Sequence, residues 1–306
     1  MGPLFILVFS ATASAGLGDY FVDAKWLEAN RDDVVIVDVR NPALYLIGHI
    51  DGAINISKGE FLSTRHGTKS LVPTVEEFEK LMDRNGITPQ TTVVAYAQHD
   101  NPYMARFVWT LRFHGHERSY VLDGGYEKWA AAGLPTEIFP TVVDPTSGYA
   151  VRRSADIRAE GDYVLTRLNN PASLIWDVRR RSEYVGTEVR ASRGGHIPGA
   201  AHLEWTSLLK DENGIKVLKG EEEIELILRT AGITRDVEII AHCQTGIRSS
   251  YATLVLLSLG YNARNYDGSW IEWANCLNYP VEVSTRQAAL NPPERGSMVI
   301  ETGLIN

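Results

Sequence analysis

The chain has 306 residues, 44% of them hydrophobic, which suits two globular domains of ordinary size better than one. Its net charge is −8 and it has no long Lys/Arg run to track phosphates, so nucleic acid is excluded as a natural partner. Two cysteines, Cys243 and Cys276, make no disulfide framework, and no Cys-x-x-Cys pair or His/Cys cluster has metal-site spacing; no metal or other cofactor is expected.

The chain opens with Leu4-Phe5-Ile6-Leu7-Val8-Phe9, followed by Ser10-Ala11-Thr12-Ala13-Ser14-Ala15. This is a short apolar core with an A-x-A-type cleavage region but no basic start, and it is too short to span a bilayer. Residues 1–18 are therefore an N-terminal extension or a signal segment, with a cleaved export signal, a mis-set start and an extra strand all open. The expected location is the cytoplasm, or outside it if residues 1–15 are a signal peptide. No other segment is apolar enough for a membrane.

Residues 19–142 read as a first domain. Short β-branched runs at 34–37, 93–95 and 120–122 alternate with helical stretches at 75–85 and 104–113. Thr74 caps the first of these helices, and Glu76 and Glu77 place negative charge in its first turn. Continuous apolar strands between amphipathic helices indicate an α/β fold, a parallel sheet with helices on both faces. Pro135, Pro140 and Pro145, with Asp144, Thr146, Ser147 and Gly148, break the periodicity, and residues 143–150 are read as the linker. A second domain follows over 151–285. The tail, 286–306, contains Asn291-Pro292-Pro293-Glu294-Arg295-Gly296 and reads as irregular.

The two domains are copies of one unit. Val34-Val35-Ile36-Val37-Asp38-Val39-Arg40 returns as Ser173-Leu174-Ile175-Trp176-Asp177-Val178-Arg179, and Gly48-His49-Ile50-Asp51-Gly52-Ala53 returns as Gly195-His196-Ile197-Pro198-Gly199-Ala200. Thr92-Val93-Val94-Ala95-Tyr96 matches Glu238-Ile239-Ile240-Ala241-His242, and Leu122-Asp123-Gly124-Gly125 with Trp129 matches Tyr266-Asp267-Gly268-Ser269 with Trp273. Four matches in one order, at a period too long for a solenoid, mark a duplicated domain.

Chemistry is concentrated at Cys243. A thiol at the carboxyl end of a buried strand, wrapped by Gln244-Thr245-Gly246-Ile247-Arg248 before a helix over 249–259, meets converging loop amides and a helix N-terminus. Arg248 adds a full positive charge, so the bowl binds anions and holds the cysteine as thiolate. The bland alternative is a small buried hydrophobe, which Arg248 weakens because a cation at such a turn needs an anionic partner. In the first copy Ala97 occupies the cysteine slot, and Gln98-His99-Asp100-Asn101-Pro102 ends without an arginine. That copy is read as inactive, with His99 and Asp100 as polar loop residues at the inter-domain surface. Cys276, at the end of a helix, is read as packing.

Asp177-Val178-Arg179, Gly195 to Ala200, the cysteine loop, and Tyr266-Asp267-Gly268-Ser269-Trp270 with Trp273 occur in an order and spacing that resemble the rhodanese sulfurtransferases. The resemblance implies two tandem rhodanese-like domains, the silent one helping to wall the site. It also implies a sulfane sulfur carried as a persulfide on Cys243, taken from thiosulfate and passed to cyanide or a thiol. Cys243 and Arg248 are the catalytic candidates. Gln244, Thr245, Gly246, Ile247, Ser249, Arg190 and Arg193 are the candidates for binding the donor. Asp177, Arg179, His196 and Asp267 are expected to support the loops, Arg179 in an ion pair for which Glu183 is the candidate partner. Trp205 and Trp270 either line the pocket or pack.

Three other readings stay open. Mercaptopyruvate sulfurtransferases resemble this chain at Thr245-Gly246-Ile247 but not at Gln244 or Arg248. A phosphatase or arsenate-reductase loop is one residue longer than this Cys-x4-Arg loop, so phosphate fits poorly. The non-enzyme reading is a sulfur-carrier or interaction module. The partners expected are a small anionic sulfur donor and a thiol or cyanide acceptor.

Overall fold

In a computed structural model, residues 16–152 and 156–283 are described; the possible signal segment 1–15 and the tail 286–306 lie outside them. Each copy builds a five-stranded parallel sheet. In space the first runs Phe21–Val22, Ser119–Leu122, Thr92–Tyr96, Val34–Asp38, Ile54–Asn55. The second repeats that order with Arg158–Ala159, Ala263–Tyr266, Glu238–His242, Ser173–Asp177 and Ala201–His202. The central pairs share one register, Asp38 opposite Tyr96 and Asp177 opposite His242.

Side-chain alternation along these strands decides what faces what. Val93 and Ala95 enter a hydrophobic cluster that runs through both copies, whereas Val94 and Tyr96 enter one confined to the first. In the second copy Ile239, Ala241 and then Cys243 belong to the shared cluster, and Ile240 to the outer one. The parity of the strand thus aims Cys243 at the neighbouring domain.

The domain interface is built on two helices, Tyr103–Phe113 and Ile247–Ser258, which pack on each other and are buried almost all round. Two hairpins lock it reciprocally. From the hairpin of Ser63–Arg65 and Thr68–Leu71, the chain runs on to Val72, whose N–H donates to Asp267 (3.0 Å). From the hairpin of Leu209–Glu212 and Ile215–Leu218, Leu218 N–H donates to Asp123 (2.9 Å).

Two details depart from the expectation. Thr136–Glu137, inside the proline-marked stretch, forms a short strand paired with His49–Ile50, because extended backbone there satisfies an otherwise open edge. The segment read as linker is strapped down by Asp83, which accepts from the N–H groups of Gly148 and Tyr149. Among the described residues no helix is long and apolar enough to cross a membrane.

Burial pushes the Asp123 carboxyl up to about 6, against the N–H groups of Leu218 and Gly124 that favour its charge. A folded pKa above the unfolded value means that folding favours the protonated form. The contribution is complete below the ordinary value of 3.8 and is lost as pH rises through about 6. Asp123→Asn, which still offers an oxygen to Leu218, is therefore expected to stabilise the protein at pH 7.5 by on the order of 1–2 kcal/mol, with the gain narrowing toward pH 4. Calorimetric unfolding of both proteins at pH 7.5 and 4.5 checks this.

Candidate active site

Cys243 follows the last residue of the Glu238–His242 strand and is 1% exposed. Burial alone raises a thiol's pKa. Here the Arg248 charge, the Ser249 hydroxyl and the N–H groups of Ser249 and Thr245 more than reverse it, holding Cys243 below its ordinary range. The loop needs a glycine at Gly246, which begins the helix with φ 77°. A Cβ there would also stand 2.6 Å from the Asp267 carbonyl oxygen. The Gly246 carbonyl accepts from Asn265 Nδ2 (3.0 Å) and Ser250 Oγ (2.6 Å). Opposite, Cys243 N–H donates to Ser269 Oγ, and its carbonyl accepts from Trp270 N–H.

Arg248 corrects the expectation of a freely available positive charge. Its guanidinium forms a two-pronged ion pair with the buried Glu183, 2.7 and 2.9 Å. Burial works against that charge, but Glu183 and the Cys243 sulfur together stabilise it beyond the ordinary arginine range. The arginine is thereby fixed in place, and part of its field is spent on a carboxylate. Arg190 touches the same carboxylate at 3.3 Å and is half exposed.

Other assignments resolve as follows. Arg179 pairs not with Glu183 but with Asp177, at 2.6 Å, and also donates to the Gly195 carbonyl. Arg40, Asp38 and Gly48 repeat this in the first copy, so the Asp-x-Arg motif is a self-contained brace between strand end and loop. Arg193 is corrected as a donor-binding residue: it donates to the carbonyls of Trp273, Ala274, Cys276 and Tyr279, securing the end of the Ser269–Asn275 helix. His196 stacks on Tyr184 and bonds its carbonyl, and Asp267 stands behind the loop in pairs with Arg106 and Arg158. Gln244 and Ile247 are buried, and Gln244 Nε2 is committed to the Arg190 carbonyl at 3.0 Å. Burial lowers His242 to about 4, so this neighbour of Cys243 is neutral at pH 7. Cys276 is half-buried.

A cavity of about 570 Å³ lies between the copies, with Asp100 and Pro102 of the first copy's loop facing Arg180, Trp205, Lys216 and Arg248. Trp205 lines it, while Trp270 is packed beneath the Arg179 guanidinium, 4.4 Å from its ring centre. His99 meets the Lys216 N–H across the interface. Sequence reasoning missed Arg180, Lys216 and, above all, Arg106. A lone charge inside Met104-Ala105-Arg106-Phe107-Val108-Trp109 was a readable signal of a buried ionic partner. Among the described residues no group of His, Cys, Asp or Glu side chains is arranged to hold a metal ion. The arrangement can stabilise a buried sulfur anion and receive a small anion beside Arg248.

A family model for the rhodanese-like domain matches residues 23–132 and again 160–276. Thiosulfate sulfurtransferases of Pseudomonas aeruginosa and Azotobacter vinelandii are each 34% identical, over 82% of this chain and 92% of theirs. The sulfur carrier protein TtuD of Thermus thermophilus is 33% identical over 86% of this chain and 96% of its own. Among solved structures, the anaerobic ergothioneine biosynthesis enzyme of Chlorobium limicola, with trimethyl histidine bound, superposes with TM-score 0.79 at 25% identity. That match covers 89% of this chain and 72% of the other.

Removing Glu183 while leaving its shape should release the full Arg248 field to the sulfur. Glu183→Gln is expected to lower the pH at which Cys243 ionises by about one unit. The pH dependence of iodoacetamide alkylation at Cys243 measures it, and an unmoved midpoint refutes the compensation by Glu183.

Proposed function

The chain belongs to the rhodanese-like family as a tandem pair, and from that premise we propose that it is a thiosulfate sulfurtransferase whose carrier is Cys243. One observation carries the reading: a buried thiol kept below its ordinary pKa by loop amides and Arg248. The Cys243 thiolate attacks the sulfane sulfur of thiosulfate, the S–S bond of the donor breaks, and sulfite leaves with the electron pair. The persulfide left on Cys243 is again an anion, and the same N–H groups and Arg248 stabilise it. Cyanide or a thiolate then attacks the outer sulfur and leaves as thiocyanate or a persulfide, returning the Cys243 thiolate. One covalent carrier gives ping-pong kinetics.

In this reading the N-terminal copy, 19–142, is inactive because Ala97 stands where the nucleophile would be, and 151–285 is the catalytic domain. Thr245 and Ser249 cradle the sulfur and Arg190 is an outer cation for the donor. Sulfite leaves as a stable anion and needs no proton donor, which favours thiosulfate over mercaptopyruvate at a loop whose one obvious hydroxyl for that task is Thr245. The carrier relative from Thermus thermophilus supports a second reading, in which the acceptor is a protein thiol and turnover of small molecules is slow. Free thiols at Cys243 and Cys276 fit the cytoplasm as the place of action.

Intact-mass analysis after thiosulfate is expected to show one added sulfur atom, located on Cys243 and absent from Cys243→Ser. Sulfur on Cys276 instead overturns the assignment. With cyanide as acceptor, kcat/KM should be higher for thiosulfate than for mercaptopyruvate and fall with salt. Negligible turnover with both donors favours the carrier. Arg248→Ala is expected to cost about 2–4 kcal/mol in kcat/KM, and Arg248→Lys to recover only part, since a point charge cannot hold both Glu183 oxygens and the sulfur.

A further inference from the structure

The silent copy sends one wholly buried cation across the interface. Arg106, from the Tyr103–Phe113 helix, donates to Asp267 Oδ1 (2.6 Å), to the Ser70 carbonyl (2.8 Å) and to the carbonyl of Gly246 in the cysteine loop (3.3 Å). Its guanidinium lies over the Trp109 ring at 4.7 Å, which fixes its plane. We propose that Arg106 is a positioning residue for sulfur transfer: by holding the Gly246 carbonyl it fixes the middle of the cysteine loop, between the Thr245 and Ser249 amides that serve the sulfur. The inference rests on the sulfur-transfer reading of that loop and adds that the catalytic bowl is completed by the domain that lacks a nucleophile.

The physical case is one of orientation. Gly246 stands between Thr245 and Ser249, whose N–H groups favour the Cys243 thiolate, so fixing the planar Gly246 peptide limits how far either amide can swing. Gly246 holds φ 77°, a conformation without strain for glycine, and its carbonyl has three donors: Arg106, Asn265 and Ser250. Only Arg106 comes from the other domain, and only Arg106 carries charge. Its surroundings explain why it stays there. Asp267 is fully buried and faces Arg106, Arg158 and the Val72 N–H. The sulfur in turn faces Arg248, which Glu183 compensates, with the Asp177–Arg179 pair and neutral His242 on the strand behind it.

The test reads ionisation of Cys243 directly, independently of any donor. In the full-length chain, the rate of Cys243 alkylation by iodoacetamide is followed against pH, with mass mapping to separate Cys276, alongside thermal unfolding. Arg106→Lys can keep the Asp267 pair but cannot reach Ser70 and Gly246 at the same time. It is expected to retain the fold and to raise the alkylation midpoint by about half a unit or more, with Arg106→Met raising it by about one unit. Arg158→Met, which loses a second partner of Asp267 without touching the loop, should lower the unfolding temperature and leave the midpoint in place. If both Arg106 variants lose stability while the midpoint stays at the parent value, Arg106 is merely structural and the proposal falls. Failure of the parent chain to accept sulfur from thiosulfate would instead count against the sulfurtransferase reading, since the alkylation midpoints do not depend on it.

Discussion

A thiolate shut away from water forfeits its hydration, and several kcal/mol must be returned by fixed dipoles and charges if the sulfur is to stay ionised. That constraint governs the architecture around Cys243. Loop amides, the Ser249 hydroxyl and Arg248 all converge on the sulfur. Each must be held in place by something else, because a mobile donor would lose its advantage to entropy. Glu183 holds Arg248, Asn265 and Ser250 hold Gly246, and Ser269 holds the Cys243 amide.

Glu183 shows how such a site balances opposing demands. An unpaired arginine beside a buried cysteine would favour the thiolate most, but it would also cost desolvation and wander toward solvent. A carboxylate pairs with it through both nitrogens and weakens its field at the sulfur. The balance leaves the thiol below its ordinary range despite its burial. Such a balance suits a sulfurtransferase cysteine, since thiolate nucleophilicity falls as pKa falls.

Duplication explains the second half of the molecule. The two copies share strand order, register and an Asp-x-Arg brace, and in each an aspartate accepts a backbone N–H at the end of the other's hairpin. The two aspartates have diverged. Asp267, behind the Cys243 loop, is neutralised by Arg106 and Arg158 and held below its ordinary value despite burial; Asp123, behind the Ala97 loop, has no ion pair among the described residues and is pushed up to about 6. At Asp123 burial outweighs the Leu218 and Gly124 N–H groups and the more distant Lys128 charge.

Much of this was legible in the chain itself. The paired motifs placed two α/β units, Cys243 was read at the end of a buried strand, and Ala97 was aligned with it in the first copy, because these depend on local pattern and on order along the chain. The need for glycine at Gly246 was not legible, since it follows from the turn and from the Asp267 carbonyl 2.6 Å from where a Cβ would stand. What the sequence could not decide were pairings among similar charges. Arg179, Arg190, Arg193 and Arg248 lie in or near one loop region with Asp177 and Glu183, and nothing in their spacing says that Arg179 closes on Asp177, that Arg193 braces a helix end, or that Arg248 takes Glu183. Such choices follow from distances of a few ångströms, whether between near neighbours such as Asp177 and Arg179 or between segments as far apart as Glu183 and Arg248. Arg106 is the extreme case: its helix pattern announced a buried charge, but only the packing of one domain on the other brought it to Gly246 and Asp267.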